Sequence, residues 1–160
     1  MENGRVRVSA KADYAVRAAV ELAVAREGDP PRPVKGDHVA KAQGIPIKFL
    51  ENILLDLRQG GLVNSRRGPD GGYWLSKPPD EITVADVIRA ADGPLASVRG
   101  EKPEDLRYEG SAQPLATVWI ALRSSLREVL EQVTLADVAA GKLPKHVEKR
   151  SQQTDAWQRR

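Results

Sequence analysis

The fold is decided by residues 34–75, which read VKGDHVAKAQGIPIKFLENILLDLRQGGLVNSRRGPDGGYWL. Residues 34–43 have the pattern of a short helix, and Gly44-Ile45-Pro46 then turns the chain. Residues 47–59 predict a longer amphipathic helix whose apolar residues share one face: Ile47, Leu50, Ile53, Leu54 and Leu57. The pair Gly60-Gly61 ends this helix. A short helix, a turn that contains glycine and a longer helix together predict a helix-turn-helix.

A β-hairpin is predicted directly after this helix pair. Two β-prone runs, residues 62–66 and 73–75, flank the turn sequence Arg67-Gly68-Pro69-Asp70-Gly71-Gly72. A hairpin in this position is the wing of a winged helix. We therefore expect a mainly α fold, a winged helix-turn-helix with a small β-hairpin wing and a long C-terminal dimerisation helix.

The flanking segments predict further helices. Ser9 is a suitable N-cap for a helix from residue 10 to about residue 26, and Thr83 for one over residues 84–91. Residues 93–114 are polar, contain proline and glycine, and predict a long loop. A helix from Pro114 to about residue 132 and a short one ending near Gly141 follow.

The helix after Pro114 has an apolar stripe that is wider than one small winged helix can cover. The stripe contains Leu115, Val118, Trp119, Leu122, Leu126, Val129, Leu130 and Val133. A self-complementary seam between two copies would bury it. We expect the dimer interface at Leu115, Val118, Trp119, Leu122, Leu126 and Val129.

These patterns divide the chain into four segments. Residues 1–80 form the winged helix-turn-helix, and residues 81–113 a connecting helix and long loop. Residues 114–144 form the dimerisation helix and a short terminal helix. Residues 145–160 are charged and rich in glutamine, and we expect them to be disordered.

Length and composition bound the possible functions. The chain has 160 residues, enough for one domain with an appended element. It has no cysteine, which excludes disulfides and thiolate metal sites. No apolar run approaches the roughly 18–20 residues of a bilayer crossing, and the start of the chain lacks the apolar region of a secretory signal, so we expect a cytoplasmic protein without a membrane partner. No nucleophile, phosphate-binding or dinucleotide motif indicates an enzyme.

The charge is unevenly distributed. Residues 1–80 hold 13 basic and 10 acidic side chains, residues 81–144 hold 7 and 10, and residues 145–160 hold 5 and 2. The net charge is +3 and the pI about 9.3, values compatible with nucleic-acid binding.

Side chains that suit double-stranded DNA lie on the second helix of the pair and on the wing. Lys48, Glu51 and Asn52 fall at the exposed start of that helix, where such helices reach base edges in the major groove. Lysine can donate to guanine, glutamate can accept from cytosine, and asparagine can pair with adenine. Arg66 and Arg67 at the start of the glycine-rich tip suit a narrow minor groove.

Helix-turn-helix pairs also occur in enzymes and adaptors. The alternative interpretation is a winged-helix protein–protein interaction module with no DNA target. Salt distinguishes the two, because DNA affinity falls steeply as salt rises.

Several motifs resemble the Rrf-two family of bacterial winged-helix regulators, the IscR/NsrR/CymR-like group. They are the run of residues 8–16, Gly44-Ile45-Pro46, residues 50–54, Gly61-Leu62-Val63 and the Arg67-Gly68-Pro69-Asp70-Gly71-Gly72-Tyr73 element. The resemblance implies a transcriptional regulator, which we expect to be a repressor, acting as a homodimer on a pseudo-palindromic operator. It places the second helix of the pair in the major groove, Arg67 in the minor groove and Lys11 near phosphates.

The chain departs from the family at the loop before the dimer helix. Many members hold an iron–sulfur cluster there on three cysteines, whereas residues 93–114 contain neither cysteine nor histidine. We therefore expect no cluster and no other cofactor, and we do not expect His38 and His146 to bind a metal.

Two kinds of regulation stay open. One is a small-molecule effector near Trp119 and the 93–113 loop, in a cavity lined by Trp119, Tyr108 and Leu106. The other is regulation by a partner or by expression level. For Trp119 itself, burial in the dimer core is the favoured interpretation.

Overall fold

The computed structural model describes residues 6–159, and the fold is mainly helical with a small antiparallel hairpin. The helices and strands in chain order are α1 (Ala10–Val24), α2 (Gly36–Gln43), α3 (Ile47–Gln59), β1 (Val63–Arg66), β2 (Gly72–Leu75), α4 (Val84–Asp92), α5 (Leu115–Leu130), α6 (Leu135–Ala140) and α7 (Lys145–Ser151). The predicted winged helix-turn-helix is confirmed, and α3 has the predicted bounds.

Helix α1 lies at the centre of the core. Its buried face consists largely of alanines, with Ala15 and Ala18 fully buried. Because alanine has no bulk beyond Cβ, α3, α4 and α6 can all pack closely against α1. The larger side chains of the core come from the surrounding elements, among them Leu50, Ile53 and Leu75.

Helices α4 and α6 begin in the same way and lie side by side. Thr83 and Asp86 form a capping box at α4, and Thr134 and Asp137 form one at α6. Two backbone hydrogen bonds join these starts, from Val84 N to Val133 O and from Leu135 N to Ile82 O, each at 2.9 Å. Helix α6 also packs against α1, so the chain returns to the core after α5.

This return changes how the segments group. Ile82 and Val87 around α4, and Leu135 of α6, belong to the same buried cluster as α1 and α3. The expected segment boundaries at residues 80/81 and 113/114 therefore do not separate independent cores. Helix α5 stands apart, since none of its residues is buried.

The long loop before α5 is packed rather than extended. It contains short 3-10 turns at Pro103–Asp105 and Gly110–Ala112. Leu106 is 2% exposed, and the Trp119 indole of α5 donates a 2.8 Å hydrogen bond to the Tyr108 hydroxyl. The loop thus covers one side of α5.

The expectation that residues 145–160 are disordered is wrong for the part of this segment that forms a helix and a turn. Residues 145–151 form α7, and a 3-10 turn spans Thr154–Trp157. Helix α7 is attached to α5, because Arg150 pairs with the Glu128 carboxylate at 3.1 Å and the His146 ring nitrogen lies 3.2 Å from the Glu128 carbonyl oxygen. Charge composition alone did not show these long-range partners.

None of the helices in residues 6–159 has the length and apolar character that crossing a bilayer requires.

Candidate nucleic-acid interface

The outward face of α3 carries the polar side chains that the sequence singled out. Lys48, Glu51 and Asn52 are all exposed. The neighbouring Leu50 and Ile53 are at most 1% exposed and hold the helix on the core. The structure therefore brings the three predicted base-reading residues together on one accessible face.

The turn before α3 is fixed by a polar network that the sequence analysis missed. The Arg17 guanidinium of α1 donates to the backbone carbonyl of Gln43 and to its side-chain oxygen, the latter at 3.3 Å. Gln43 in turn donates to Glu21 at 2.6 Å. Gly44 follows in the left-handed conformation, with φ of 61°. This network sets the direction in which α3 leaves the turn.

Phe49 is a further exposed residue on α3 that the sequence analysis missed. Its side chain is 59% exposed, and its ring centroid lies 6.4 Å from that of Tyr14. It lies outside the apolar stripe of α3. A large apolar residue in that position could have been recognised from the sequence as an exposed contact residue. An exposed apolar ring on a reading helix can contact the methyl group of thymine.

The wing needs glycine at two positions. In the hairpin, Arg66 is paired with Gly72. A Cβ on Gly71 would overlap the carbonyl of Arg66, and one on Gly72 would lie 2.5 Å from the carbonyl oxygen of Val34. Val34 and Tyr73 exchange two backbone hydrogen bonds of 2.8 Å, so the base of the wing is tied to the segment before α2.

The two wing arginines have different surroundings. Arg66 donates to the Asp70 carbonyl oxygen at 3.0 Å and so closes the tip. Arg67 is exposed and has no hydrogen-bond or ion-pair partner among residues 6–159. Lys35, which the sequence analysis missed, donates to the Gly68 carbonyl oxygen at 3.0 Å. Arg67 is the cation that the wing leaves available.

Helix α3 and the wing are neighbours. They border a groove of about 180 Å³ whose lining includes Lys35, Glu51 and Tyr73. Arg58 of α3 also donates to the Ser65 hydroxyl of β1 at 3.1 Å. Helix α3 and the hairpin therefore form one continuous surface.

Lys11 lies beside the same helix. Its ammonium is 2.7 Å from the Asp56 carboxylate of α3, and its side chain is 44% exposed. The predicted phosphate contact is thus held next to α3 by an ion pair.

The expected dimer residues lie on one stripe of α5. Leu115 is 39% exposed and Val118 is 50% exposed. Leu122, Leu126 and Val129 are partly exposed. Trp119 is partly covered by the loop through its bond to Tyr108. Ile120, which the sequence analysis did not select, is 41% exposed and lies off this stripe.

The expected effector cavity has a different lining. Tyr108 and Trp119 contact each other, and the cavity found on this side, of about 200 Å³, is bordered instead by residues that include Arg89, Lys102 and Arg123. Glu104 also borders it and pairs with Arg123. A backbone hydrogen bond and the Arg123 guanidinium lower the pKa of Glu104, which favours the charged form of its carboxylate.

The profile of the Rrf2 (Rrf-two) family, described as an iron-dependent transcriptional regulator, matches residues 8–141. The chain belongs to the Rrf2 family. Among Rrf2 relatives, an HTH-type transcriptional regulator of Mycobacterium tuberculosis is 56% identical over 142 residues, which cover 89% of this chain and 86% of the relative. The HTH-type transcriptional regulator CymR of Bacillus subtilis is 36% identical over 135 residues, covering 84% and 91%.

Solved Rrf2 structures share the fold. The structure of CymR, named as the global cysteine regulator of B. subtilis, superposes with a TM-score of 0.68 at 34% identity and covers 85% of this chain and 98% of that one. The IscR structure of T. potens gives 0.66 at 32% identity and covers 95% and 96%. The chain is therefore a DNA-binding transcriptional regulator and not an enzyme, as the sequence predicted.

The iron named in the family description raises the question of a cluster site in this Rrf2 chain. Iron–sulfur clusters are held mainly by cysteine thiolates, and the chain has none. The loop that packs against α5 offers carboxylates such as Glu101 and Glu104, and His38 and His146 lie on α2 and α7. These donors do not fit a family-type cluster.

Proposed function

We propose that this Rrf2 regulator is a repressor that acts as a homodimer on an operator with approximate two-fold symmetry. The observation that carries the proposal is the common surface of α3 and the wing, where exposed Glu51 and the hairpin border one groove and Arg67 has no partner within residues 6–159. In this arrangement α3 enters the major groove and the wing reaches the adjacent minor groove.

Within the major groove, Lys48, Glu51 and Asn52 supply hydrogen bonds to base edges, and Phe49 supplies an apolar contact to a thymine methyl. Within the minor groove, Arg67 responds to the negative potential of a narrow A·T-rich segment. Lys11 lies close enough to α3 to meet a phosphate beside the major groove.

The dimer follows from α5. Leu115 and Val118 expose apolar surface on the same stripe as Leu122 and Leu126, and a two-fold partner would cover it with the same residues. Two DNA-binding domains related by a two-fold axis require two half-sites about 34–36 Å apart, or a multiple of that spacing. A protein bound across a promoter in this way excludes the polymerase, which is the basis for proposing repression.

The proposal is tested by selecting bound sequences from random duplex DNA with the full chain and measuring affinity for the selected site against salt. We expect an inverted repeat and a log–log salt slope of about −0.9 for each phosphate contacted. In vitro transcription from a promoter that contains the site should fall when the protein is added.

The second candidate function is the winged-helix protein–protein interaction module. It predicts no enrichment of any duplex sequence and no steep salt dependence. That result would reject the repressor proposal in favour of the interaction module.

A further inference from the structure

A cavity of about 200 Å³ lies between the end of α4, the loop and α5, and none of the proposed DNA-contacting residues lines it. Four cationic side chains from these three segments line it: Arg89 of α4, Lys102 of the loop, and Arg123 and Arg127 of α5. Residues 81–144 hold only 7 basic side chains against 10 acidic ones. The cations are therefore concentrated at this cavity against the overall charge of their segment.

The nearby carboxylates do not balance these cations. Glu104 lines the cavity and pairs with Arg123. Glu131 pairs with Arg89, and its carboxylate lies 3.7 Å from the Arg127 guanidinium. The lining thus holds four cations and one carboxylate, and together with Glu131 beside it these groups carry an excess of two positive charges.

We propose that this cavity binds a small dianion with carboxylate or phosphate oxygens, and that this ligand regulates operator binding. Arginine guanidinium groups suit such oxygens because they donate pairs of parallel hydrogen bonds. The cavity is smaller than the roughly 300–1,000 Å³ of pockets for drug-sized ligands, so the ligand is a small metabolite. A dianion would neutralise the excess charge.

Glu104 gives the cavity a means of response. Its carboxylate already accepts a hydrogen bond from the Arg123 guanidinium. A ligand carboxylate or phosphate would take the same place. A bound dianion competes with Glu104 and weakens the attachment of the Pro103–Asp105 turn to α5. Arg89 connects the same cavity to α4, which packs on α1 and α3. The ligand therefore acts where the winged helix-turn-helix meets α5.

The regulatory part of this inference rests on the proposed function, whereas ligand binding can be measured without DNA. The full chain is titrated calorimetrically with inorganic phosphate and, separately, with succinate, in a low-salt buffer. We expect saturable binding of at least one of the two, and which one binds identifies phosphate or carboxylate as the ligand class. Arg127→Gln and Lys102→Gln should each weaken binding at least about tenfold by removing a cation from the site.

Arg99→Gln is the matched control. Arg99 is exposed on the same loop and lies over the Tyr108 ring at 5.9 Å, but it does not line the cavity. It should leave binding unchanged, and circular dichroism should show that all three variants are folded. No binding of either anion, or equal binding by Arg99→Gln and the two cavity variants, would overturn the inference.

Regulation is tested by measuring the affinity of the chain for its operator with and without the anion that binds. A change of at least threefold in the wild type that is lost in Arg127→Gln supports regulation through the cavity, and an unchanged affinity overturns it. Anion binding by a chain that binds no DNA sequence would reject the repressor proposal alone. Specific DNA binding by a chain that binds neither anion would reject the cavity alone.

Discussion

The Lys11 ammonium lies 2.7 Å from the Asp56 carboxylate, joining the first turn of α1 to the later part of α3. Both side chains remain partly exposed, at 44% and 30%. An ion pair in this setting contributes little stability, about 0–1 kcal/mol. Its main effect is positional, because it holds a cation beside α3.

Lys11→Met tests whether that position serves DNA binding. Methionine keeps most of the side-chain length and removes the charge. We expect the free energy of unfolding to fall by no more than about 1 kcal/mol. The slope of log affinity against log salt should become shallower by about 0.9, the value of one phosphate contact.

The control for Lys11→Met is Lys142→Met, an exposed lysine just after α6. It should leave the slope unchanged. If Lys11→Met gives the wild-type slope as well, Lys11 does not contact a phosphate.

Arg67→Ala should weaken operator binding by about 1–3 kcal/mol, because Arg67 is the wing cation without a partner in the described chain. The loss should be largest on operators with A·T-rich flanks, where the minor groove is narrow. Gel-shift titrations on two operators that differ only in flank composition measure this. An equal loss on A·T-rich and G·C-rich flanks would show that Arg67 does not read groove shape.

Gly71→Ala should displace the wing, since the added Cβ would overlap the Arg66 carbonyl. We expect the free energy of unfolding to fall by roughly 1–3 kcal/mol, together with a loss of operator affinity. Denaturant titration and gel shift measure the two effects.

Gly36→Ala is the matched control for Gly71→Ala, because its Cβ would make an ordinary contact of 3.6 Å with the Tyr73 ring. Its stability should stay at or above that of the wild type, since Gly36 begins α2 and alanine favours a helix. A Gly71→Ala protein with wild-type stability and affinity would mean that the tip tolerates another backbone path.

Leu122→Glu should convert the proposed dimer to a monomer, because it places a charge without a partner in the proposed apolar seam along α5. Light scattering at matched protein concentrations measures the mass. Ser124→Glu, an exposed position of the same helix, should leave the mass unchanged. A dimer that persists in Leu122→Glu would place the seam elsewhere.

Local sequence patterns predicted most of the winged helix-turn-helix. The apolar spacing of residues 47–59, closed by Gly60-Gly61, gave the bounds of α3, and the glycine-rich turn gave a hairpin whose strands begin within one residue of the predicted runs. Lys48, Glu51 and Asn52 are exposed for the same reason, since they lie opposite the apolar stripe.

The features that were missed depend on contacts between distant parts of the chain. The pairing of α6 with α4 depends on backbone hydrogen bonds of Val84 and Leu135, and its packing on α1 depends on Leu135; neither contact is visible in the local composition. The attachment of α7 rests on Glu128, and the cationic cavity combines three separate segments. The apolar periodicity of a single helix cannot reveal contacts between distant segments.

The backbone pairing at Thr83 and Thr134 has a consequence for how such a protein can change over time. The segment between the two paired residues comprises α4, the loop and α5, so the pairing holds the start of α4 beside the start of α6. Changes in the length of the loop or of α5 therefore leave α1, α3 and the hairpin in place as long as this pairing between the starts of α4 and α6 is kept.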